Sequence, residues 1–210
     1  MLTGMFDRPG APAGELARRA GVSPSTATAH LNKLVDGGLV TVRSEGRMRL
    51  YELASAEVAT AIEGLAVLSP QIPVRSLSDR RTATALREAR TCYDHLAGRV
   101  GVMLHDHLLQ RGDIVSVSER DYELSRRGER SCESLGLDLV AIRKSRRMFA
   151  RSCLDWSERV PHLAGALPAA LLTHMLEQGW IERHLRNRSV RITESGAAGL
   201  EDWCGMNVNG

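Results

Sequence analysis

Two cysteines and two histidines stand in a spacing that invites shared chemistry: Cys92-Tyr93-Asp94-His95, and Cys153 followed by Asp155, Trp156 and then His162. A Cys and a His three residues apart face the same side of a helix. Thiolate and imidazole are ligands that a borderline-soft transition metal prefers. If the segments around His95 and His162 pack together, Cys92, His95, Cys153 and His162 make a four-ligand set. The two thiols alone would instead make a redox pair. An apolar cavity near Tyr93 and Trp156 would take a small organic effector. Neither Cys–His pair has the Cys-x2-Cys spacing of a strong zinc motif, and no cofactor is required on any of these readings. The plainer alternative is that the histidines hydrogen-bond at helix ends and the cysteines pack as small apolar groups.

A second group of side chains suits a different chemistry. Ser23, Ser25, Thr26, Thr28, His30, Asn32 and Lys33 are polar, and Arg43, Arg47 and Arg49 follow within one short segment. Hydroxyls, amide and imidazole can reach base edges, and arginine and lysine hold phosphates. Enzymatic chemistry has no counterpart: the chain lacks a phosphate-binding glycine loop, a nucleophile elbow and a clustered carboxylate pair. It is expected not to be an enzyme.

The elements that must position the second group are written locally. Glu15 to Ala20 are good helix formers with Leu16, Ala17 and Ala20 on one face. Gly21 stops that helix, and Ser23-Pro24 starts another with a capping hydroxyl and a proline at its first position. Ala27, Leu31 and Leu34 form the buried stripe of a helix from Pro24 to Val35. Gly37-Gly38 ends it. Leu39 to Val42 and Met48 to Leu53 alternate as half-buried strands around a Ser44-Glu45-Gly46 turn. Helix, turn, helix and hairpin make a winged helix-turn-helix. The same grammar without DNA contact would be an interaction module, which is the alternative reading.

Residues 14–53, GELARRAGVSPSTATAHLNKLVDGGLVTVRSEGRMRLYEL, resemble the DNA-binding core of the ArsR/SmtB family of bacterial transcriptional repressors. The resemblance covers about the first third of the chain. It implies that the helix from Pro24 enters the major groove of double-stranded DNA and that the hairpin near Arg43 to Arg49 touches the backbone or minor groove. It also implies a homodimer that releases its operator when an effector binds. Members usually carry a further helix before the segment equivalent to Met1-Leu2-Thr3, so the chain is expected to begin late, and the resemblance does not fix the geometry of its dimer. The family's cysteine site on the first helix has no counterpart in Glu15 to Ala20. Its site on the helix after the wing has none either, since Glu57 to Leu68 offers only Glu57 and Glu63.

Beyond the wing, Glu57 to Leu68 carries Val58, Ile62 and Leu65 at helical spacing. The winged helix is expected to span 1–69, with a proline-bearing linker over 70–78 and an effector or dimerisation domain over 79–210. Inside that domain His95-Leu96-Ala97-Gly98 recurs as His162-Leu163-Ala164-Gly165. The match runs on through His107 with His174, Gly112 with Gly179, Ile114 with Ile181, and Leu124 to Gly128 with Ile192 to Gly196. Two copies, at about 95–136 and 162–204, are each expected to read as a long helix ending at Gly, a strand pair and a short helix begun by Ser125 or Thr193. The fold class is therefore mainly α with short β-hairpins: a winged helix-turn-helix and two repeated winged-helix-like halves. The long helices of the halves are apolar on wide arcs and are expected to be buried. His105-Asp106-His107 reads as a solvated helix face, because alternate residues diverge around a helix. Arg143 to Arg147 with Arg151 reads as a solvated basic run that could flank DNA.

Composition agrees with a cytoplasmic regulator. The 210 residues suffice for two domains, and 43% hydrophobic content supports a core in each. No apolar run reaches membrane-spanning length and no signal peptide opens the chain. The four cysteines are scattered, as free thiols are in a reducing compartment. Net charge is +3, permissive of nucleic acid, and of the 28 basic residues only Lys33 and Lys144 are lysines.

Overall fold

The computed structural model describes residues 1–7, 10–68, 77–185 and 187–208. Most of the expected linker, 70–76, lies outside the described residues. The amino-terminal part runs α1 (Leu2–Asp7), β1 (Ala11–Pro12), α2 (Ala13–Ala20), α3 (Pro24–Asp36), β2 (Val40–Glu45), β3 (Met48–Leu53) and α4 (Ala56–Leu68). Its three strands form an antiparallel sheet in the order β1-β3-β2. Met5, Phe6, Leu16, Leu31, Val40, Tyr51, Leu53 and Ala59 close a core beneath it. Gly21 caps α2 at φ 65°, a left-handed conformation open to glycine at little cost.

The wing turn falls later than Ser44-Glu45-Gly46. Pairing continues to Glu45 opposite Met48, so Gly46-Arg47 is a two-residue turn, with Gly46 at φ 60°. The stripe expected on α4 is also shifted. Val58 and Ile62 pack at the edge of the core, but Leu65 is 65% exposed. Ala59 and the buried Glu63 face inward instead, because Arg188 from the second domain reaches across to pair with Glu63.

The carboxy-terminal part runs α5 (Leu77–Glu88), β4 (Arg90–Cys92), β5 (His95–Ala97), α6 (Arg99–Gln110), β6 (Ile114–Ser116), β7 (Asp121–Leu124), α7 (Arg126–Ser134), α8 (Leu139–Arg143), β8 (Ala150–Leu154), β9 (Pro161–Ala164), α9 (Ala166–Glu177), β10 (Ile181–Arg183), β11 (Val190–Ile192) and α10 (Glu194–Cys204). Hairpin, helix, hairpin, helix thus occurs twice, with α8 between. Strands β7 and β8 pair across the junction and join the middle hairpins into one sheet, β6-β7-β8-β9. Both α6 and α9 are buried on wide arcs in one shared core. Ser125 and Thr193 each accept from a backbone N–H three residues on, that of Gly128 and Gly196, and each donates to a glycine carbonyl, of Gly112 and Gly179. A Cβ on Gly128 would stand 2.0 Å from the Asp113 carbonyl oxygen, and one on Gly196 1.9 Å from that of Trp180. Close backbone approach therefore requires glycine at both places.

His105 does not lie on a solvated face. It is 4% exposed, and its Nε2 lies 3.1 Å from the Tyr122 hydroxyl. The α6 helix packs on β9, which covers the side that a lone helix would show to water. The basic run is likewise engaged. Arg143 bridges Glu123 and Glu129 and lies over the Phe149 ring, and Arg147 grips Asp94.

Candidate functional site

Helix α3 starts where Ser23 Oγ accepts from the Thr26 N–H at 3.2 Å and Pro24 supplies the preset first turn. Ala27 and Leu31 are fully buried, which turns the opposite face outward. Ser23, Ser25, Thr26, Thr28, His30, Asn32 and Lys33 are all exposed. Thr28 Oγ1 donates to the Pro24 carbonyl at 2.9 Å, leaving its lone pairs outward. At the wing Arg43, Arg47 and Arg49 are exposed as well. Arg47 sits in the turn itself, with no side-chain partner among the described residues. Arg43 is held by Glu45 at 2.7 Å, and the Arg49 guanidinium lies 5.5 Å from the centre of the Tyr51 ring. Ala29 is a further exposed member of the face. Its place, four after Ser25 and three before Asn32, marks it, although it carries no polar atom.

The cysteines and histidines sit elsewhere, in the second domain. The (i, i+3) spacing predicts a helix at Cys92–His95, but the helix before it stops at Glu88 and a hairpin forms. Tyr93-Asp94 is the two-residue turn, with Tyr93 at φ 60°, and Cys92 pairs directly with His95 across it. Cys153 pairs with His162 in the same way across β8 and β9. The two hairpins meet. One ligand atom from each of the four residues lies within 4.8 Å of every other, all four residues are buried, and both cysteines are free. The imidazole centroids are 5.1 Å apart.

Residues 2–43 match a family described as a helix-turn-helix domain. Over 197 residues the chain is 44% identical to the HTH-type transcriptional regulator YdfF of Bacillus subtilis (strain 168), covering 94% of this chain and 87% of that protein. The chain belongs to the HTH-type transcriptional regulators. No solved structure matches it. The regulator is thus a DNA-binding protein of a non-enzymatic family, and α3 is the third helix of its matched domain, after α1 and α2. Among its described residues no helix is long and apolar enough to cross a membrane.

Behind the cysteines the regulator holds two carboxylates that the spacing of its sequence does not single out as a pair. Asp94 Oδ1 lies 3.2 Å from His95 Nδ1, and Arg147 grips the same carboxylate. Asp155 is fully buried. It accepts from Arg90 at 2.8 Å and from the Gly98 N–H at 2.7 Å, and its Oδ2 lies 3.3 Å from His162 Nδ1. At that separation His162 Nδ1 makes no hydrogen bond to the carboxylate, though it faces it. Burial opposes ionisation of Asp155, yet His162 and Arg90 hold its carboxyl well below the usual range. Cys92 is raised, first because it donates to Cys153 and then by burial. Cys153 is lowered, first as the acceptor from Cys92 and then through His162 and His95. Burial disfavours charge on His162, but Asp155 and Cys153 overcome it and raise its pKa.

Proposed function

We propose that the regulator is a repressor of the ArsR type, working as a homodimer in the cytoplasm and released from its operator through the second domain. What carries the reading is the outward, acid-free face from Ser25 to Lys33 on a helix-turn-helix, flanked by the arginines of the wing. Ser25, Thr26, Thr28 and His30 take base edges or close backbone, and Ser23 and Asn32 lie beside them. Lys33, Arg43, Arg47 and Arg49 take phosphates. Arg47 is the cleanest of these because no acid competes for it. Arg47→Ala is expected to weaken binding to all duplexes alike and to reduce the slope of log K against log[salt] by about 1. Fluorescence anisotropy across a salt series measures this. An unchanged slope would remove Arg47 from the phosphate contacts, and absence of duplex binding in the parent would favour the protein-interaction reading.

The second domain reads as a duplication. Matching caps at Ser125 and Thr193 and matching glycines support two winged-helix-like halves. Their long helices are buried, so they suit an effector domain better than a second DNA surface. Pairing of two copies is supported by α4, which leaves Leu65 65% exposed beside Met1 and Leu2 in one groove and Leu68 79% exposed at its end. Sedimentation of the free regulator at twice the monomer mass is the expected result, and Leu65→Glu is expected to shift it toward the monomer. An effector acts here only by its differential affinity for the DNA-binding and released states.

A further inference from the structure

The chemistry of the Cys–His cluster is not explained by packing. His162 is 0% exposed, and neither of its ring nitrogens has a hydrogen bond; His95 Nε2 is buried and also unpartnered. Unsatisfied buried imidazole nitrogens are costly. On each ring Nδ1 is turned to a carboxylate, Asp94 or Asp155, which leaves Nε2 for a ligand. That is the arrangement in which carboxylates orient metal-binding histidines. Each carboxylate has its own arginine, Arg147 or Arg90. The outer pairs are therefore neutral, and two thiolates remain to be balanced by a divalent cation. A tetrahedral Zn²⁺, with bonds of about 2.3 Å to sulfur and 2.0 Å to nitrogen, spaces its ligand atoms by roughly 3.3–3.8 Å. The present spread of up to 4.8 Å needs only a small contraction. A Cys92–Cys153 disulfide would leave the buried Nε2 atoms of both imidazoles without a partner.

We propose that Cys92, His95, Cys153 and His162 bind one Zn²⁺ or an ion of like preference, and that this ion is the effector of the regulator. The ligand set stands on its geometry, whereas the effector role rests on the DNA-binding reading above. On binding, two protons pass to solvent, one from Cys92 and one shared by the Cys153–His162 pair, so that two thiolates and two neutral imidazoles enclose the ion with no open position. The site lies against the DNA-binding domain. Helix α4 packs on β4 and β8, the strands that carry Cys92 and Cys153. Tyr93, between a ligand and its carboxylate support, packs on the amino-terminal core. A crevice lined by Glu57 and Thr60 of α4 together with Arg147 and Ala164 opens onto His95. Drawing the two hairpins together therefore moves the surface on which α4 rests, and α4 continues directly from the wing.

The test uses the full chain stripped of metal under reducing conditions. One equivalent of Co²⁺ is expected to give the intense visible bands of tetrahedral cobalt and a sulfur-to-cobalt charge-transfer band, both displaced by Zn²⁺. Cys92→Ser and Cys153→Ser should abolish the spectrum. Because both cysteines are buried, Asp94→Asn is the second variant: it keeps all four ligands, and its Co²⁺ affinity should fall roughly 10–100-fold with the unfolding transition retained. No tetrahedral spectrum, a spectrum that survives both cysteine variants, or isolation of a Cys92–Cys153 disulfide with no metal uptake would overturn the site. In the same preparation, duplex affinity is expected to differ about 5–150-fold with and without Zn²⁺. Metal uptake with unchanged duplex affinity overturns the effector role, whereas no duplex binding in either state is a failure of the DNA-binding reading instead.

Discussion

Asp155→Ala destabilises the chain by about 3–5 kcal/mol, the cost of stripping one partner from a buried ion pair. Arg90 and Asp155 are both 0% exposed and meet at 2.8 Å. Arg90 stacks over the Trp156 ring at 4.6 Å and donates to Ser157 Oγ and the Leu86 carbonyl. Asp155 also accepts from the backbone N–H groups of Gly98, Ser157 and Glu158. Without the carboxylate, a guanidinium is left in the core and several amides lose their acceptor. Urea unfolding in the presence of a chelator isolates the packing cost from any metal contribution. The double variant Arg90→Met/Asp155→Leu should recover part of the loss, because removing both charges is cheaper than orphaning one. A shift below about 1 kcal/mol for Asp155→Ala would mean that water reaches the pair and that the hairpin base is not closed.

The helix-turn-helix was legible because its signals are local. Ser23-Pro24 marks the start of α3, Gly21 stops α2, and Ala27 and Leu31 select the buried face, all within a few residues. The wing turn was less so: alternation indicates strands but not where pairing ends, and it is the Glu45–Met48 pair, with Gly46 at positive φ, that places the turn at Gly46-Arg47. Cys92 and His95 expose a degeneracy. A three-residue offset joins neighbours on a helix face, and it equally joins the flanks of a two-residue hairpin. Every residue of β4 and β5 is buried, so the period-2 alternation that would have separated the two was absent. The second pair is too far apart in sequence for any local rule, and the repeated His-Leu-Ala-Gly was what connected it to the first. Arg90, Asp155 and Arg147 left no trace as partners, because each ion pair joins segments more than fifty residues apart. A sequence in which Arg147 sits among Arg143, Lys144 and Arg146 reads as solvated until the fold supplies Asp94.

The DNA-facing surface yields the second large effect. Ala29→Glu abolishes useful duplex binding, with a loss on the order of 100-fold or more, since like charge set against an interface costs several kcal/mol. Ala29 lies between Ser25 and Asn32 on the face opposite the buried Ala27 and Leu31, and it is exposed. Its methyl group suits contact with a thymine methyl or close approach to the groove floor. Glutamate is a good helix former, so α3 should persist and stability should move by no more than about 0.5 kcal/mol. Ala29→Ser is the control: small, neutral and polar, it should keep most of the affinity. Far-ultraviolet circular dichroism and thermal unfolding establish that the fold is intact, and anisotropy at fixed low salt reads the binding. Retained affinity in Ala29→Glu would mean that a surface other than α3 meets the duplex. The arginines of the wing would then be the place to look, since Arg47 and Arg49 are exposed and carry the opposite charge to the phosphates.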